Sequence, residues 1–308
     1  MRKIRNIAAL LLLGALLVTT AWAAGPIETD RDASLTLSCR QEEAGIPQVE
    51  FSLYRAADVD AYGEYTLAAG FRDYPVRLDG LTAEGWKLLA ETLAGYVRRD
   101  GLTPEQTGLT GSDGQLTFDG LRPGLYLVLA QPLTRNGEIF TAEPFLAALP
   151  ALDREANDWS YQVTAAPKFT VEPVPAEPIT RQVVKIWNDN GSTVRPRSVT
   201  VQLLKNGAVY DTVTLSDENS WRHTWADLPA QEDGQPIDWQ VTEQAADGYT
   251  VTVTREGETF LVTNTARQPQ QPSEPTLPQT GSLWWPVPVL AACGLICLAI
   301  GVRRRRHD

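Results

Sequence analysis

Cysteine is scarce in this sequence, which has three cysteines among 308 residues. Two of them, Cys293 and Cys297, lie in an apolar run near the C-terminus, and Cys39 is the third. No disulfide can therefore form within the rest of the chain. If the folded part is unusually tough, its toughness must come from another kind of link.

Histidine is also scarce, because His223 and His307 are the only two. No grouping of histidine, cysteine and aspartate has the spacing of a metal site, and no nucleophile motif is present. We therefore expect no metal, no cofactor and no enzyme that turns over. Paired carboxylates in so acidic a chain leave an enzyme that uses two carboxyl groups open as an alternative.

Basic residues are outnumbered, with 27 lysines and arginines against 38 aspartates and glutamates and a net charge of −11. Many of the basic residues stand close to the two termini, so the middle of the chain is more acidic still. This balance disfavours nucleic acids and anionic surfaces as partners.

The N-terminus has the order of a secretory signal peptide. Residues 1–23 start with a basic segment, continue with the apolar run IAALLLLGALLVTTA and end on Ala-Trp-Ala. A basic region, an apolar region and a small-residue cleavage site predict export, with cleavage between Ala23 and Ala24. A buried core helix is the alternative, and the flanking charges argue against it.

Three features follow one another at the C-terminus. They are LPQTG at 277–281, an apolar run at 283–302 and a basic tail at 303–308. The apolar run is about long enough to cross a bilayer, and the arginines would hold that end in the cytoplasm. A plain single-span anchor that contains LPQTG by chance is the alternative to a specific signal.

This ordered set resembles the cell-wall sorting signal of Gram-positive surface proteins. The resemblance implies that a sortase cleaves between Thr280 and Gly281 and joins the threonine carbonyl to an amine of a peptidoglycan precursor or cross-bridge. The implied motif residues are Leu277, Pro278, Gln279, Thr280 and Gly281. The implied location is the Gram-positive cell wall, reached through a transient membrane anchor.

Two proline-rich stretches divide the middle of the chain. Residues 171–179 are typical of an extended linker and residues 268–276 of a stalk. The segments 24–170 and 180–267 are each of ordinary domain size. The second alternates apolar and polar residues between Asn-Gly and Asp-Gly turn signals, which predicts a sandwich of short strands.

The two segments repeat one order of motifs. VEFSLYR at 49–55 parallels VTVQLLK at 199–205, and YLVLA at 126–130 parallels WQVTE at 239–243. We therefore predict an all-β protein with two sandwiches in tandem.

The first segment also contains a predicted helical insertion at about 82–99. Apolar residues there recur at helical spacing, as at Trp86, Leu89 and Leu93, and Tyr96–Val97 continue the stripe. Thr82 is a suitable N-cap. We expect this stripe to make core contacts rather than a binding surface.

Residues 180–267 resemble the collagen-adhesin B-type (Cna B) domain, an Ig-like β-sandwich of bacterial surface proteins and pilins. The matching stretches include VVKIWNDN, NSWRHTWADLPAQEDGQPIDWQVTEQAADGY and LVTNT. The resemblance implies an isopeptide bond between Lys185 on the first strand and Asn264 on the last, assisted by Glu243. Such a bond forms once per molecule, so it is self-crosslinking and not turnover.

The chemistry accounts for the three residue types. An amine attacks an amide only as the free base, and an exposed lysine has a pKa of about 10.4. Burial lowers the pKa of a lysine and raises that of a carboxyl, so a protonated Glu243 could polarise the amide carbonyl of Asn264. The alternative is a plain ion pair between Lys185 and Glu243, with Asn264 as a turn residue.

The first segment lacks this chemistry. The internal alignment puts Cys39 where Lys185 falls and Ala130 where Glu243 falls. We therefore expect no isopeptide bond there. We also expect Cys39 to be a buried core residue rather than a reactive thiol or thioester.

The stretch DWSYQVTAAPKF at 158–169 resembles the pilin motif WxxxVxVYPKN. The matches are Trp159, Val163, Pro167 and Lys168, and the departures are Ala165, Ala166 and Phe169. The resemblance implies that Lys168 takes the threonine carbonyl of another pilin subunit. Two functions stay open, a pilin-type subunit and a singly anchored adhesin that binds a host or matrix ligand.

Overall fold

The computed structural model describes residues 25–175, 177–191, 195–244 and 246–267, which belong to one compact unit. Below, residues 25–175 are the N-terminal half and residues 177–267 the C-terminal half. The predicted signal peptide, stalk and sorting signal lie outside the described residues. No helix within the described part is long and apolar enough to cross a membrane, and the predicted span at 283–302 lies outside it.

The fold is mostly β, as the sequence predicts, and its strands pair within each half. The strands of the N-terminal half are β1 Ala33–Ser38, β2 Arg40–Gln41, β3 Ala44–Gly45, β4 Glu50–Val59, β5 Tyr65–Leu67, β6 Gln106–Leu109, β7 Gln115–Leu121, β8 Gly124–Ala130, β9 Leu133–Arg135, β10 Glu138–Ala142, β11 Phe145–Leu149, β12 Ala151–Asp153, β13 Asp158–Ser160, β14 Gln162–Ala165 and β15 Phe169–Pro173.

Two main sheets of the N-terminal half enclose its core. In one sheet β1 lies between β14, to which it is parallel, and β7, to which it is antiparallel. The other runs in the order β11-β8-β4-β5, with β6 also paired to β4. Leu35 and Leu37 from the first sheet are buried against Phe51 and Val128 from the second. This arrangement follows from the alternation of buried and half-buried residues along β1.

A third, smaller sheet extends into the predicted linker. Its order is β15-β10-β9, and Val171 in β15 pairs with Phe140 in β10. Both residues pack on the core of the N-terminal half, because Phe140 is buried and Val171 is partly buried against it. The linker predicted at 171–179 is therefore paired strand up to Pro173.

The insertion forms helix α1, Ala83–Asp100. The Thr82 hydroxyl caps it by accepting a hydrogen bond from the Gly85 N–H, and Gly101 ends it in the left-handed region. Leu89 and Leu93 pack with residues of β8 on the outer face of the larger sheet. That contact explains why β8 is buried at every position along its length.

The C-terminal half has nine strands among its described residues, together with a short 3-10 helix at Asp217–Asn219. The strands are β16 Ile179–Asn188, β17 Ser198–Lys205, β18 Ala208–Ser216, β19 Arg222–Leu228, β20 Gln231–Glu232, β21 Gln235–Pro236, β22 Trp239–Glu243, β23 Tyr249–Glu256 and β24 Thr259–Ala266.

Two sheets face each other in the C-terminal half. One runs β19-β16-β24-β23 and the other β18-β17-β22. Their inner faces bury Val183 and Val262 from the first sheet with Leu203 and Trp239 from the second. First strand β16 and last strand β24 are adjacent and parallel, so residues far apart in sequence come side by side.

Candidate functional site

Three polar side chains meet in the core of the C-terminal half. Lys185 comes from β16, Asn264 from β24 and Glu243 from β22 on the facing sheet. Lys185 is in register with Val262, and Asn264 lies two residues further along the same face of β24. Lys185 is 5% exposed, and Glu243 and Asn264 are fully buried. We call Lys185, Glu243 and Asn264 the clasp residues.

Glu243 lies between the other two clasp residues. The Lys185 Nζ is 3.1 Å from Glu243 Oε2. The Asn264 Nδ2 donates a hydrogen bond of 2.6 Å to Glu243 Oε1. Lys185 Nζ also donates to the backbone carbonyl of Val262 at 3.1 Å. One carboxyl group therefore contacts both the Lys185 amine and the Asn264 amide.

Two oxygen atoms of the clasp are poorly satisfied. Asn264 Oδ1 has no hydrogen-bond donor within the described part of the chain. Glu243 Oε2 has none either, so its contact with Lys185 is an ion pair at close range without the alignment of a hydrogen bond. A buried acceptor without a donor costs about 1–3 kcal/mol. A proton on Glu243 would supply a donor if the amide turned its oxygen toward the carboxyl.

Burial shifts both titratable groups of the clasp towards their neutral forms. It lowers the pKa of Lys185 to about 8, against a smaller opposing effect of the Glu243 carboxylate. It raises the pKa of Glu243, and the nearby Lys185 opposes that rise. A neutral amine beside a protonated carboxyl is the state that amide attack requires, and burial shifts both groups in the direction of that state.

An aromatic cluster packs beside the amine. The Lys185 Nζ lies 4.7 Å from the centre of the Trp187 ring. Trp187 makes edge contacts with Trp221 and Tyr249, at centroid distances of 5.2 Å and 5.1 Å. These rings help to keep water from the amine, although a ring face also attracts an ammonium ion. Sequence reasoning missed this cluster, and its one signal is the aromatic residue two places after the lysine.

The N-terminal half has different residues at the corresponding register positions. Its first strand and β16 carry a register shift at the same point, and the partners beyond it correspond. The Cys39 N–H donates to Gly114, four residues before Phe118, just as the Lys185 N–H donates to Trp221, four residues before Trp225. Cys39 therefore takes the place of Lys185.

The other two clasp positions are also changed in the N-terminal half. Ala130 pairs with Phe51 as Glu243 pairs with Val201, so an alanine stands in the position of the acid. β14 ends at Ala165, short of the position equivalent to Asn264, and Phe169 beyond it belongs to β15, where it pairs with Ala142 of β10. Cys39 is fully buried, as predicted, and burial raises the pKa of its thiol to about 11.

Lys168 is exposed and lies between β14 and β15, apart from the buried clasp. Its backbone carbonyl accepts a hydrogen bond from the Glu143 N–H. Elsewhere in the same motif, the Trp159 indole donates to the Gly25 carbonyl at 2.7 Å. The motif therefore holds the first described residues of the chain and leaves the lysine side chain accessible.

The remaining predicted site residues lie outside the described part of the chain. They are Ala23, Ala24, Leu277, Pro278, Gln279, Thr280 and Gly281. Within the described residues, no group of three or more His, Cys, Asp or Glu side chains is arranged to hold a metal ion.

Comparison with known proteins gives one curated relative and several partial structural overlaps. The collagen adhesin of Staphylococcus aureus is 26% identical, over 58% of this chain and 17% of that protein. The basal pilin SpaE of Lactobacillus rhamnosus GG overlaps with a TM-score of 0.32 and 13% identity, covering 78% of this chain and 92% of that one. The major pilin SpaA of Corynebacterium diphtheriae overlaps with a TM-score of 0.28 and 12% identity, covering 76% and 98%.

This chain thus spans about a sixth of the length of the curated relative. The TM-scores are too low to establish a shared overall architecture, so the structural overlaps carry no argument about function. The family match is confined to one segment that contains all three clasp residues. Residues 181–265 match the family model of the Cna protein B-type domain.

Proposed function

We propose that the C-terminal half cross-links itself through an isopeptide bond between Lys185 and Asn264. The observation that carries the proposal is the buried contact of Glu243 with both side chains. In the reaction the Lys185 Nζ attacks the Asn264 Cγ, the Cγ–Nδ2 bond breaks, and one molecule of ammonia leaves. The products are a secondary amide and ammonia, and no oxidant, metal or cofactor takes part.

Glu243 is the acid in this proposal. With its proton it polarises the amide carbonyl of Asn264, and it relays the proton lost by the attacking amine to the departing ammonia. Its position between the two reactants suits both steps. Glu243 begins and ends the reaction in the same protonation state, so it acts as a general acid and base.

The folded sandwich supplies the proximity. Adjacent strands β16 and β24 hold Lys185 and Asn264 on one face, inside a packed core. Well-oriented groups within one molecule react as though present at very high effective concentration. The reaction consumes both groups, so the protein catalyses one turnover on itself and is not an enzyme in the ordinary sense.

The bond would make the C-terminal half resistant to pulling. It joins the first strand of that half to the last, so the residues between Lys185 and Asn264 become a closed loop. A force applied to the two ends would pass through the new amide and would not separate the strands. The cross-link would thus stabilise this half in the way that a disulfide stabilises other exported proteins.

For the whole described chain we propose two Ig-like sandwiches in tandem, the first with the helical insertion α1. The matched register shift in β1 and β16 supports a common frame for the two halves. The register also aligns Cys39 with Lys185. The N-terminal half would then be a sandwich of the same kind without a cross-link.

We further propose that the protein is exported and joined to the Gram-positive cell wall by a sortase. The support is the sequence order of signal peptide, LPQTG and apolar run, with Thr280 linked to a peptidoglycan amine. The B-type domain match at 181–265 is consistent with a pilin-type or adhesin-related surface protein.

A pilin-type subunit is the favoured form of this surface protein. The exposed Lys168 is accessible to the threonine carbonyl of another subunit. Force between Lys168 and Thr280 would then run through the C-terminal half, which is where the clasp residues are. A singly anchored adhesin with a host or matrix ligand is the second candidate, suggested by the relative described as a collagen adhesin.

Peptide mapping tests the cross-link itself. After complete digestion, we expect one branched peptide that joins the Lys185 segment to the Asn264 segment, with Nζ bonded to Cγ. Fragmentation in the mass spectrometer would locate the bond. Recovery of both segments only as separate linear peptides at their sequence masses would contradict the proposal.

A further inference from the structure

Helix α1 of the N-terminal half packs against the C-terminal half beside the clasp. Its middle part is buried on two sides. Leu89 and Leu93 face the N-terminal half, and Thr92, Gly95 and Tyr96 lie at the contact with β22 and β23. An amphipathic helix that covers one domain leaves its second face to solvent. This helix covers both halves.

The segment from Pro75 through helix α1 provides hydrogen-bond partners at the edges of both sheets of the C-terminal half. Strands β22 and β23 are the outermost strands there in the described sheet orders. The Tyr96 hydroxyl donates to the backbone carbonyl of Glu243 at 3.4 Å. The Thr92 hydroxyl accepts from the Val253 N–H at 2.9 Å, and the Pro75 carbonyl accepts from the Val251 N–H at 2.9 Å.

These contacts reach the clasp directly. Glu243 is the proposed acid, and Val251 is the register partner of Asn264. The segment from Pro75 through helix α1 therefore contacts β22, which carries Glu243, and β23, which pairs with the strand that carries Asn264. Its contacts are made by residues more than a hundred positions earlier in the chain.

The approach of the helix is unusually close. A Cβ added at Gly95 would lie 3.2 Å from the Thr242 Cγ2 and 3.5 Å from the Val241 carbonyl oxygen. Thr242 points out of the sandwich, since its neighbours Val241 and Glu243 point in, yet it is only 1% exposed. Helix α1 thus seals the outer side of β22 at the residue next to Glu243.

Tyr96 is suited to hold this position. It is 1% exposed and stacks on Tyr74, with ring centres 4.7 Å apart. Burial, and to a smaller degree the Glu243 carboxylate, raises the pKa of Tyr96, so the hydroxyl stays a neutral donor. Among the described residues, the titratable groups in contact with Glu243 are Lys185 from β16 and Tyr96 from α1. Arg99 lies over the Tyr96 ring.

We propose that helix α1 is a positioning element for the clasp, in which Tyr96 and the close contact at Gly95 keep Glu243 in place and away from water. The isopeptide bond of the C-terminal half then closes at full rate only after the N-terminal half has folded against it. This inference rests on the proposed function. In this proposal the N-terminal half assists the cross-linking of the C-terminal half.

Two variants and one control test this inference in the full-length chain. Gly95→Leu forces the helix away from β22, and Tyr96→Phe keeps the ring stack but removes the hydroxyl. Gly85→Leu is the control, because the atoms nearest to a Cβ at Gly85 belong to Leu81 and Thr82, which directly precede the same helix. Each chain is recovered unfolded and not yet cross-linked from inclusion bodies, refolded from denaturant in detergent, quenched at intervals and weighed for the loss of one ammonia.

We expect the isopeptide bond to form at least about tenfold more slowly in Gly95→Leu, since water that reaches Glu243 lowers its pKa and with it the protonated fraction that the reaction needs. We expect Tyr96→Phe to close more slowly too, with the acid side of its pH profile moved to lower pH. A merely structural contact would lower the folded yield without moving that profile. Gly85→Leu should close at the wild-type rate.

Equal closure rates and equal pH profiles in wild type, Gly95→Leu and Tyr96→Phe would overturn the inference while leaving the proposed function intact. If Gly95→Leu does not fold, the profile of Tyr96→Phe decides. A wild-type chain that never loses ammonia is a separate outcome, and it would overturn the proposed function together with this inference.

Discussion

Cys39 occupies in the N-terminal half the register position that Lys185 occupies in the C-terminal half. Each backbone N–H donates to the residue at the equivalent point of the neighbouring chain segment, Gly114 in one half and Trp221 in the other. The two halves thus carry a thiol and an amine at equivalent register positions. The thiol has no acid beside it at the Glu243 position, where Ala130 stands.

The first prediction concerns this contrast. We expect the full-length chain to lose one ammonia and not two, with every peptide from the N-terminal half at its sequence mass. Because burial raises the pKa of Cys39 to about 11, its thiol should alkylate far more slowly in the folded protein than in urea. Peptide mapping after timed alkylation measures both. A branched peptide from residues 25–175 would contradict the prediction.

The second prediction concerns the acid. We expect Glu243→Gln to abolish closure, because an amide has no acidic proton to relay between amine and leaving group. The variant also leaves Lys185 buried without its counter-ion, which costs about 3–5 kcal/mol. The lost cross-link removes roughly another 4–5 kcal/mol if it acts on the unfolded chain as a disulfide does. Thermal unfolding should therefore begin at a much lower temperature.

Glu232→Gln is the matched control for that variant. Glu232 also pairs with a lysine, Lys205, but its side chain is 52% exposed. Exposed pairs contribute about 0–1 kcal/mol, so this variant should close and unfold like wild type. If Glu243→Gln still lost ammonia at the wild-type rate, Glu243 would not be the acid.

The third prediction is the pH dependence of closure. The reactive state has a neutral amine and a protonated carboxyl, so it holds the same number of protons as the ion pair of Lys185 and Glu243. The population of the reactive state therefore does not change with pH between the two pKa values of the pair. Above about pH 8, where Lys185 has lost its proton in the folded state, Glu243 is ionised and the rate should fall.

The acid side of that profile has the opposite cause. Below the raised pKa of Glu243, both groups are protonated and the amine is no longer a nucleophile, so the rate should fall again. Refolding of chain recovered unfolded and not yet cross-linked from inclusion bodies, across a pH series with quenching and intact mass, measures the profile. A rate that kept rising well above pH 8 would mean that amine deprotonation alone limits closure, without a carboxylic acid.

The fourth prediction concerns assembly. If the protein is a pilin-type subunit, cells should yield a ladder of covalent multimers that survives denaturing electrophoresis. We expect Lys168→Arg to abolish the ladder, because a guanidinium is not a nucleophile at neutral pH. Lys87→Arg is the control, since Lys87 is another exposed lysine of the N-terminal half. A ladder that persists in Lys168→Arg, or a wild type found only as monomer, would favour the singly anchored adhesin.

The sequence is informative about the clasp because its three residues sit in recognisable strand motifs. Lys185 and Asn264 stand in the flanking segments VVKIW and LVTNT, and Glu243 ends the segment WQVTE. The alternation along these segments is enough to place the side chains in a core. The predicted strands, and the N-cap at Thr82, need only local patterns of the same kind.

The contact of helix α1 with the clasp has no such local pattern. Tyr96 and Glu243 are 147 positions apart, and the apolar stripe of the helix describes only its face toward the N-terminal half. Gly95 is the one available signal, because a glycine inside a helix costs stability and often marks a close approach. What approaches it depends on the packing of the two halves, which periodicity within one helix does not specify.

The intact mass of the folded wild-type chain tests the isopeptide bond most directly. The account predicts a mass below that of the processed sequence by one ammonia, and the full sequence mass for Lys185→Met and Asn264→Ala. A wild-type chain at its full sequence mass would contradict the account and leave Lys185 and Glu243 as a buried ion pair.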